Sequence, residues 1–255
     1  MSSAGQMRLT VLGKSPAWHD AGGACSGYLI EAADFALLLD CGHGVPATLR
    51  RVRERVDAVV LSHMHPDHFF GLIPWAYALT VAPRAGLRGR PRLLLPPGGR
   101  ELLTSLDDLL SLDDRLEEAF AVEGYQPDSP LEAGPLTLSF RPVPHFVPTW
   151  AIAVEHQGRR LVYGADCGPG DGLVAFTAGA DLALYESTLP VPDPQGSPFH
   201  LSAREAGEHA RAAGAARLVL THFSDELDSL STRRNGEAGF GRPVELARCG
   251  AVYVV

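Results

Sequence analysis

The 255-residue chain is short of several things, and each shortage narrows what it can be. It has only four cysteines, Cys25, Cys41, Cys167 and Cys249, scattered without a C-x-x-C pair. A chain of this length builds its core without disulfides, so they read as reduced thiols, mostly small buried fillers. No run approaches the roughly 18 consecutive apolar residues of a membrane span. Met1 to Gln6 lack the basic-then-apolar order of a secretory signal, which makes the cytoplasm the expected compartment. Lysine is almost absent: Lys14 stands alone, and arginine carries the rest of the positive charge. With 22 basic and 30 acidic residues the formal charge is −8, which argues against broad attraction to nucleic acid or anionic membrane. Internal repeats and long Ser/Gly/Pro linkers are missing too, so one domain over 1–255 is expected.

What is present is globular material, with 45% hydrophobic residues, enough for a sizeable core. Apolar runs predict strands at 7–13, 26–31, 35–40, 57–62, 91–96, 136–143, 150–155, 160–164, 181–186, 218–220 and 251–255. Helices are expected at 48–55, 99–110, 113–120 and 202–213, the last opened by a capping box of Ser202 and Glu205. The Pro-rich stretch 189–198 reads as a loop. Strands lead, then alternate with helices, which predicts a layered α/β fold.

Chemistry-bearing residues collect just past the strands. His63, His65, Asp67 and His68 follow Val59-Val60-Leu61; His145 follows Pro142-Val143-Pro144; Asp166 follows the 160–164 run; His222 follows the 218–220 run. Side chains there are held by a rigid sheet yet open to solvent. Imidazoles and carboxylates together suit zinc first, with manganese or iron as alternatives, rather than calcium. Seven donors are too many for one tetrahedral zinc. They are enough for two divalent metal ions sharing a carboxylate, and such a pair, about 3.5–4 Å apart, activates water and polarises a phosphoryl or carbonyl oxygen. An isolated histidine such as His156 or His209 reads as an ordinary core or surface residue. Three histidines and an aspartate within six positions do not.

The run His63-Met64-His65-Pro66-Asp67-His68, followed in order by His145, Asp166 and His222, resembles the metallo-β-lactamase superfamily. The likeness covers nearly the whole chain, from Leu9-Thr10-Val11-Leu12-Gly13 through Leu38-Leu39-Asp40-Cys41-Gly42 to the C-terminus. It implies an αββα four-layer sandwich with the metals at one edge of the sheets. It also implies that His63, His65 and His145 hold one metal, that Asp67, His68 and His222 hold the other, and that Asp166 bridges them.

Tyr185-Glu186-Ser187-Thr188 and Phe199-His200-Leu201-Ser202 resemble the acid-then-histidine segment of the ribonuclease Z-like phosphodiesterases. That resemblance implies that His200 contacts the scissile phosphate and helps to protonate the leaving oxygen, with Glu186 orienting it. Asp67, His200 and Glu186 are thus the candidate catalytic residues. A histidine suits general acid work near neutral pH, and the helix N-terminus beside it favours a phosphate. Bacterial ribonuclease Z enzymes carry a long tRNA-gripping arm between the positions matching His145 and Asp166. Here only 21 positions separate them, filled by two expected strands and a turn at Gly158, which leaves no room for the arm. The Gly22-Gly23-Ala24-Cys25-Ser26-Gly27-Tyr28-Leu29 stretch looks more like an armless phosphodiesterase-like branch, some of whose relatives act on cyclic nucleotides.

The expected activity is hydrolysis of a small or terminal phosphodiester, such as a cyclic nucleotide or an RNA end. Ribonuclease Z-type tRNA 3′ cleavage, thioester or lactam hydrolysis on the same fold, and noncatalytic metal binding are the alternatives. The expected partner is a phosphodiester-containing small molecule or a nucleic-acid end, not a membrane. A homodimer is open, dimers being the commonest soluble oligomers. Among weaker candidates, His19 could line the mouth, His43 could support a ligand and Asp40 could hydrogen-bond one. Cys167 reads as a bystander. Arg84, Arg88, Arg90 and Arg92 read as a solvated loop that could steer phosphate.

Overall fold

Strands that are apolar on both faces need cover on both faces, and this chain supplies it with two sheets back to back and helices outside them. The computed structural model describes residues 6–83, 89–193 and 199–255. One sheet is built from β1 (Arg8–Gly13), β2 (Gly27–Ala32), β3 (Phe35–Leu39), β4 (Ala58–Val60), β5 (Arg92–Leu95), β6 (Ala121–Gly124) and β14 (Val252–Val254), in the order β14-β1-β2-β3-β4-β5-β6. The other holds β7 (Leu131–Ala133), β8 (Leu136–Val143), β9 (Thr149–His156), β10 (Arg159–Tyr163), β11 (Leu182–Glu186), β12 (Leu218–Thr221) and β13 (Glu245–Leu246), in the order β13-β12-β11-β10-β9-β8-β7. Strands β3 to β6 run parallel, as do β10 to β13, and the remaining pairs are antiparallel.

Side-chain alternation decides which layer each residue joins. Leu37 and Leu39 of β3 face inward with Tyr28, Ile30 and Val60, meeting Leu138, Ile152, Leu161 and Leu184 of the second sheet. Ala36 and Leu38, one position off, face outward onto α1 (Val45–Val52), α3 (Leu72–Thr80), α4 (Gly99–Leu110) and α5 (Arg115–Ala119). On the far side, Tyr185, Leu218 and Leu220 pack on α6 (Asp171–Thr177), α7 (Ala203–Ala212) and α8 (Ser229–Phe240). The result is the expected helix–sheet–sheet–helix sandwich.

Two departures have clear causes. The first helix spans Val45–Val52, three residues earlier than expected. Gly44, at φ 86°, turns the chain just ahead of it, Pro46 suits its first turn, and Arg53 is already extended. Helices α2 (Pro66–Phe69), α3, α6 and α8 and strands β6, β7 and β13 are also additional to the expected elements. In α8 the sequence offers Gly236 and Gly239, poor helix formers, but they serve packing. A Cβ on Gly239 would lie 2.1 Å from the Arg204 carbonyl oxygen of α7, so only glycine lets the two backbones approach. Arg84, Arg88 and residues 194–198 of the Pro-rich loop lie outside the described residues. No described helix is long and apolar enough to cross a membrane.

Candidate metal centre

Each candidate ligand leaves a strand end on the same edge of the sandwich. Strand β4 runs through Leu61 and Ser62 into His63, and the turn that follows becomes the short helix α2 (Pro66–Phe69), which carries Asp67 and His68. β8 leads to His145, β10 to Asp166 and β12 to His222. All seven proposed ligands meet. The ligand atoms of His63, His65 and His145 lie within 4.8 Å of one another, as do those of Asp67, His68, Asp166 and His222. Asp166 sits between the sets: its carboxylate oxygens are 3.3 Å from His68 Nε2, 3.3 Å from His222 Nε2 and 4.0 Å from His145 Nε2. Asp67 Oδ2 lies 3.2 Å from His222 Nε2, and His65 Nδ1 lies 3.0 Å from His145 Nε2.

Hydrogen bonds behind the rings fix which nitrogen faces the cluster. The Nδ1 of His68 donates to Asp40 at 2.7 Å, and that of His145 donates to the Phe199 carbonyl at 2.8 Å, both acceptor-only partners. Ser62 Oγ gives its proton to Asp40 and so accepts from His63 Nδ1 at 3.0 Å. Thr188 Oγ1 gives its proton to Glu186 and accepts from His222 Nδ1 at 2.8 Å. Four imidazoles therefore turn Nε2 inward, while His65 presents Nδ1. This is the support that metal-ligating histidines need. The Nε2 atoms of His63 and His68 and the Oδ1 of Asp166 are buried without a hydrogen-bond partner. Buried donors and acceptors are rarely left unpaired, so these inward-facing orphans and the N/O donor set fit divalent cations.

Electrostatics divide the histidines. Burial holds His63 and His65 below the usual imidazole range and pushes His145 down to about 4, which keeps lone pairs free. Burial also opposes charge on His68, but Asp166, Asp40 and Asp67 outweigh it and raise its pKa well above the ordinary value. Burial likewise works against the Asp67 and Asp166 carboxylates, and the surrounding histidines, His68 and His222 foremost, hold both well below the usual range.

His200 stands beside the cluster, its ring centroid 5.0 Å from that of His145 and 6.1 Å from that of His222. Its Nδ1 donates at 2.9 Å to Glu186, a buried carboxylate that also accepts from the Cys167 amide at 2.7 Å and from Thr188 Oγ1 at 2.6 Å. Burial lowers the pKa of His200, and Glu186, by hydrogen bond and charge, more than reverses this. The helix that follows has its capping box: Ser202 Oγ accepts from Glu205 N, and Glu205 Oε2 accepts from Ser202 N. Two further sets of potential ligands include His200, one with His145 and Asp166 and one with Glu186 and His222, so metal content must be measured when its role is tested.

The weaker candidates sort themselves by contact. Asp40 binds His68, as anticipated. His19 and His43 are exposed and pack on each other, ring centroids 4.7 Å apart. Cys167 is buried, and burial pushes its thiol well up, which disfavours a thiolate. Arg92 is engaged by both oxygens of Glu123, at 3.0 and 2.8 Å, and by the Glu132 carbonyl, so it braces β5 against its neighbours. All four cysteines are free, but Cys249 is exposed rather than a buried filler. Sequence reasoning missed Ser62, Thr188 and Tyr163, whose hydroxyl donates to Asp40 at 2.8 Å. Ser62 adjoins His63, and Thr188 closes the motif that holds Glu186; Tyr163 gives no signal along the chain.

Five histidines and two aspartates that could hold metal ions thus gather at the edge of a helix–sheet–sheet–helix sandwich, and that sandwich is the metallo-β-lactamase fold. Residues 36–223 match the β-lactamase superfamily domain, and the chain belongs to the metallo-hydrolases of that superfamily. It is 32% identical over 249 residues to a probable metallo-hydrolase, YhfI, of Bacillus subtilis, covering 97% of this chain and 99% of that one. The crystal structure of YhfI superposes with a TM-score of 0.88 at 30% identity, covering 98% of this chain and 100% of that one. A ribonuclease Z of Myxococcus xanthus is 30% identical over 303 residues, covering 94% of this chain and 95% of that one. The crystal structure of a diphosphatase from the PhnP family shares the fold, with a TM-score of 0.76 at 18% identity over 98% of this chain and 97% of that one.

Proposed function

We propose that this chain is a two-metal phosphodiesterase acting on a small or terminal phosphodiester, such as a cyclic nucleotide or an RNA end. The observation that carries the reading is the Glu186–His200 pair, set beside a cluster whose donors divide into two overlapping sets. His63, His65 and His145 would hold one cation, Asp67, His68 and His222 the other, and Asp166 would be shared. Two cations so held, zinc first and manganese or iron otherwise, would offset phosphate charge and activate water. The remaining chemistry belongs to the side chains. Glu186 fixes the Nδ1–H of His200 and favours its protonated form, leaving Nε2 as the atom that hands a proton to the departing oxygen. The resemblance to ribonuclease Z supports phosphodiester rather than thioester or lactam chemistry.

The same resemblance raises the tRNA 3′-endonuclease reading. Against it, the interval between His145 and Asp166 is filled by β9 and β10, joined by a tight Gln157-Gly158 turn with both φ positive. Bis-p-nitrophenyl phosphate, a precursor tRNA, S-lactoylglutathione and a chromogenic cephalosporin, assayed side by side, separate the readings; only the first is expected to turn over well. His200→Ala should lower kcat by about 10²–10⁴-fold, the usual worth of a positioned proton donor, with both metals retained. Loss of a metal equivalent, or an unchanged kcat, would overturn the role of His200.

A further inference from the structure

Immediately after His145 the chain places a phenylalanine where solvent should discourage one. Phe146 is 62% exposed, among the most exposed large apolar side chains of the described residues. Its ring is stacked on that of Phe199, with centroids 4.0 Å apart and planes at 26°. It is also 5.3 Å from the His145 ring and 6.0 Å from the His200 ring. One face is thus occupied by Phe199 while the ring remains largely open, at the rim of the cluster. The two residues arrive from different layers: Phe146 from the loop after β8, Phe199 from the segment leading into α7. Phe199 is further tied in by its carbonyl, which accepts from His145 Nδ1 at 2.8 Å. The platform is consequently anchored to the same ring it flanks.

The geometry points to a base-stacking subsite: Phe146, backed by Phe199, takes the planar nucleobase of a nucleoside phosphodiester whose phosphate lies at the cluster. This inference rests on the phosphodiesterase reading and narrows it to nucleoside-bearing substrates. A nucleobase lies a sugar's length from its phosphate, a span that fits a ring centroid 5–6 Å from the two histidines. An aromatic face suits it because every base has a π-face, and an already stacked ring loses little freedom on binding. Stacking recognises flatness rather than a hydrogen-bond pattern, so tolerance among bases is expected, with purines preferred for their larger area.

The test compares thymidine 5′-(p-nitrophenyl phosphate) with methyl p-nitrophenyl phosphate on the metal-loaded protein. The esters share a leaving group and differ only in the nucleoside. The wild type should favour the thymidine ester in kcat/KM, and Phe146→Ala should reduce that preference by roughly five- to a hundredfold, the usual worth of one stacked base. Phe146→Trp should preserve it, which separates stacking from a general loss of structure. In parallel, adenosine 5′-monophosphate should inhibit more tightly than ribose 5-phosphate, and Phe146→Ala should erase the difference. A preference ratio unchanged by Phe146→Ala, or equal inhibition by the two monophosphates in the wild type, overturns the subsite while phosphodiester turnover stands. If neither ester is hydrolysed but the thioester or lactam is, the phosphodiesterase reading fails and the subsite falls with it.

Discussion

Asp40 supports the candidate metal centre without belonging to it, and Asp40→Asn measures how much. The residue is fully buried and accepts four hydrogen bonds. Oδ1 receives the Ser62 amide at 2.7 Å; Oδ2 receives Ser62 Oγ at 2.7 Å, His68 Nδ1 at 2.7 Å and Tyr163 Oη at 2.8 Å. An amide has one acceptor oxygen. Its best placement puts that oxygen at the Oδ2 position, which turns its NH₂ toward the Ser62 N–H, donor against donor. Leaving that buried amide unsatisfied costs about 1–3 kcal/mol. The three surviving bonds lose charge assistance, each dropping from about 1.5–3 to about 1 kcal/mol. Because one atom serves all three, the losses do not simply add. A total of about 3–5 kcal/mol is expected, a large share of the usual 5–15 kcal/mol of a folded domain.

The metal should register the change too. Removing an outer hydrogen-bond partner of a ligand histidine typically costs about 10–100-fold in affinity. The cation held with His68 should suffer more than the one held by His63, His65 and His145. Urea denaturation of the metal-free protein reads the stability term, and metal-to-protein ratio across a chelator series reads the affinity. An unchanged denaturation midpoint together with the wild-type ratio at every chelator concentration would refute the reasoning. A lowered midpoint with an unaltered ratio would leave Asp40 a structural residue only.

Two further perturbations test the surroundings. Asp20 accepts from Lys14 Nζ at 2.7 Å, Ser15 Oγ at 2.9 Å, Ser224 Oγ at 3.0 Å and the Asp225 amide at 2.8 Å, tying the 14–25 segment to the loop after His222. Burial opposes its charge, but Lys14 and the other donors hold its pKa below the usual carboxylate value. A depressed folded pKa contributes stability above the unfolded value and loses it as pH falls toward the folded one. Asp20→Asn should therefore cost about 2–4 kcal/mol at pH 7, the partner Asp225 tempering the loss at Lys14, and urea midpoints should converge with the wild type as pH falls below the ordinary carboxylate value of 3.8. Gly239→Ala should push α8 off α7 and cost about 2 kcal/mol despite its better helix propensity, lowering Tm by roughly 4–8 °C; an unchanged Tm in calorimetry would show that the backbones separate freely.

The candidate cluster was legible because it is one-dimensional: each of its residues follows an apolar run, and a strand end needs no tertiary knowledge to locate. The layers were legible for the same reason, since doubly covered strands read as unbroken apolar runs. The supports were not, because they join distant positions. Tyr163 reaches Asp40 across 123 residues, and Tyr28 Oη meets Thr221 Oγ1 at 2.8 Å across 193. Helix α3 was invisible for a different reason. Leu72-Ile73-Pro74-Trp75-Ala76-Tyr77-Ala78-Leu79-Thr80 is apolar nearly all round, so no polar face marks the period that buries Leu72, Trp75, Ala76 and Leu79. In α8 the glycines misled, since tertiary packing overrode propensity.

The backbone shows where the scaffold has been made to yield. Asp40, Ala165 and His222 all adopt left-handed φ, at 56°, 55° and 52°, and all three sit at or just past the end of a strand that feeds the cluster. An L-residue there costs about 1–2 kcal/mol, a cost that glycine would avoid. At Asp40 and His222 glycine would remove the carboxylate or imidazole itself. At Ala165 the methyl is fully buried in the layer between the sheets, so the side chain is held by packing rather than by chemistry. Each strained residue is pinned on the far side: Asp40 by four donors, His222 by Thr188, Ala165 by the interior. The sheets thus supply rigidity, and the sharp turns out of them aim His68, Asp166 and His222 at one point. Those turns are themselves held by hydrogen bonds and packing among protein groups.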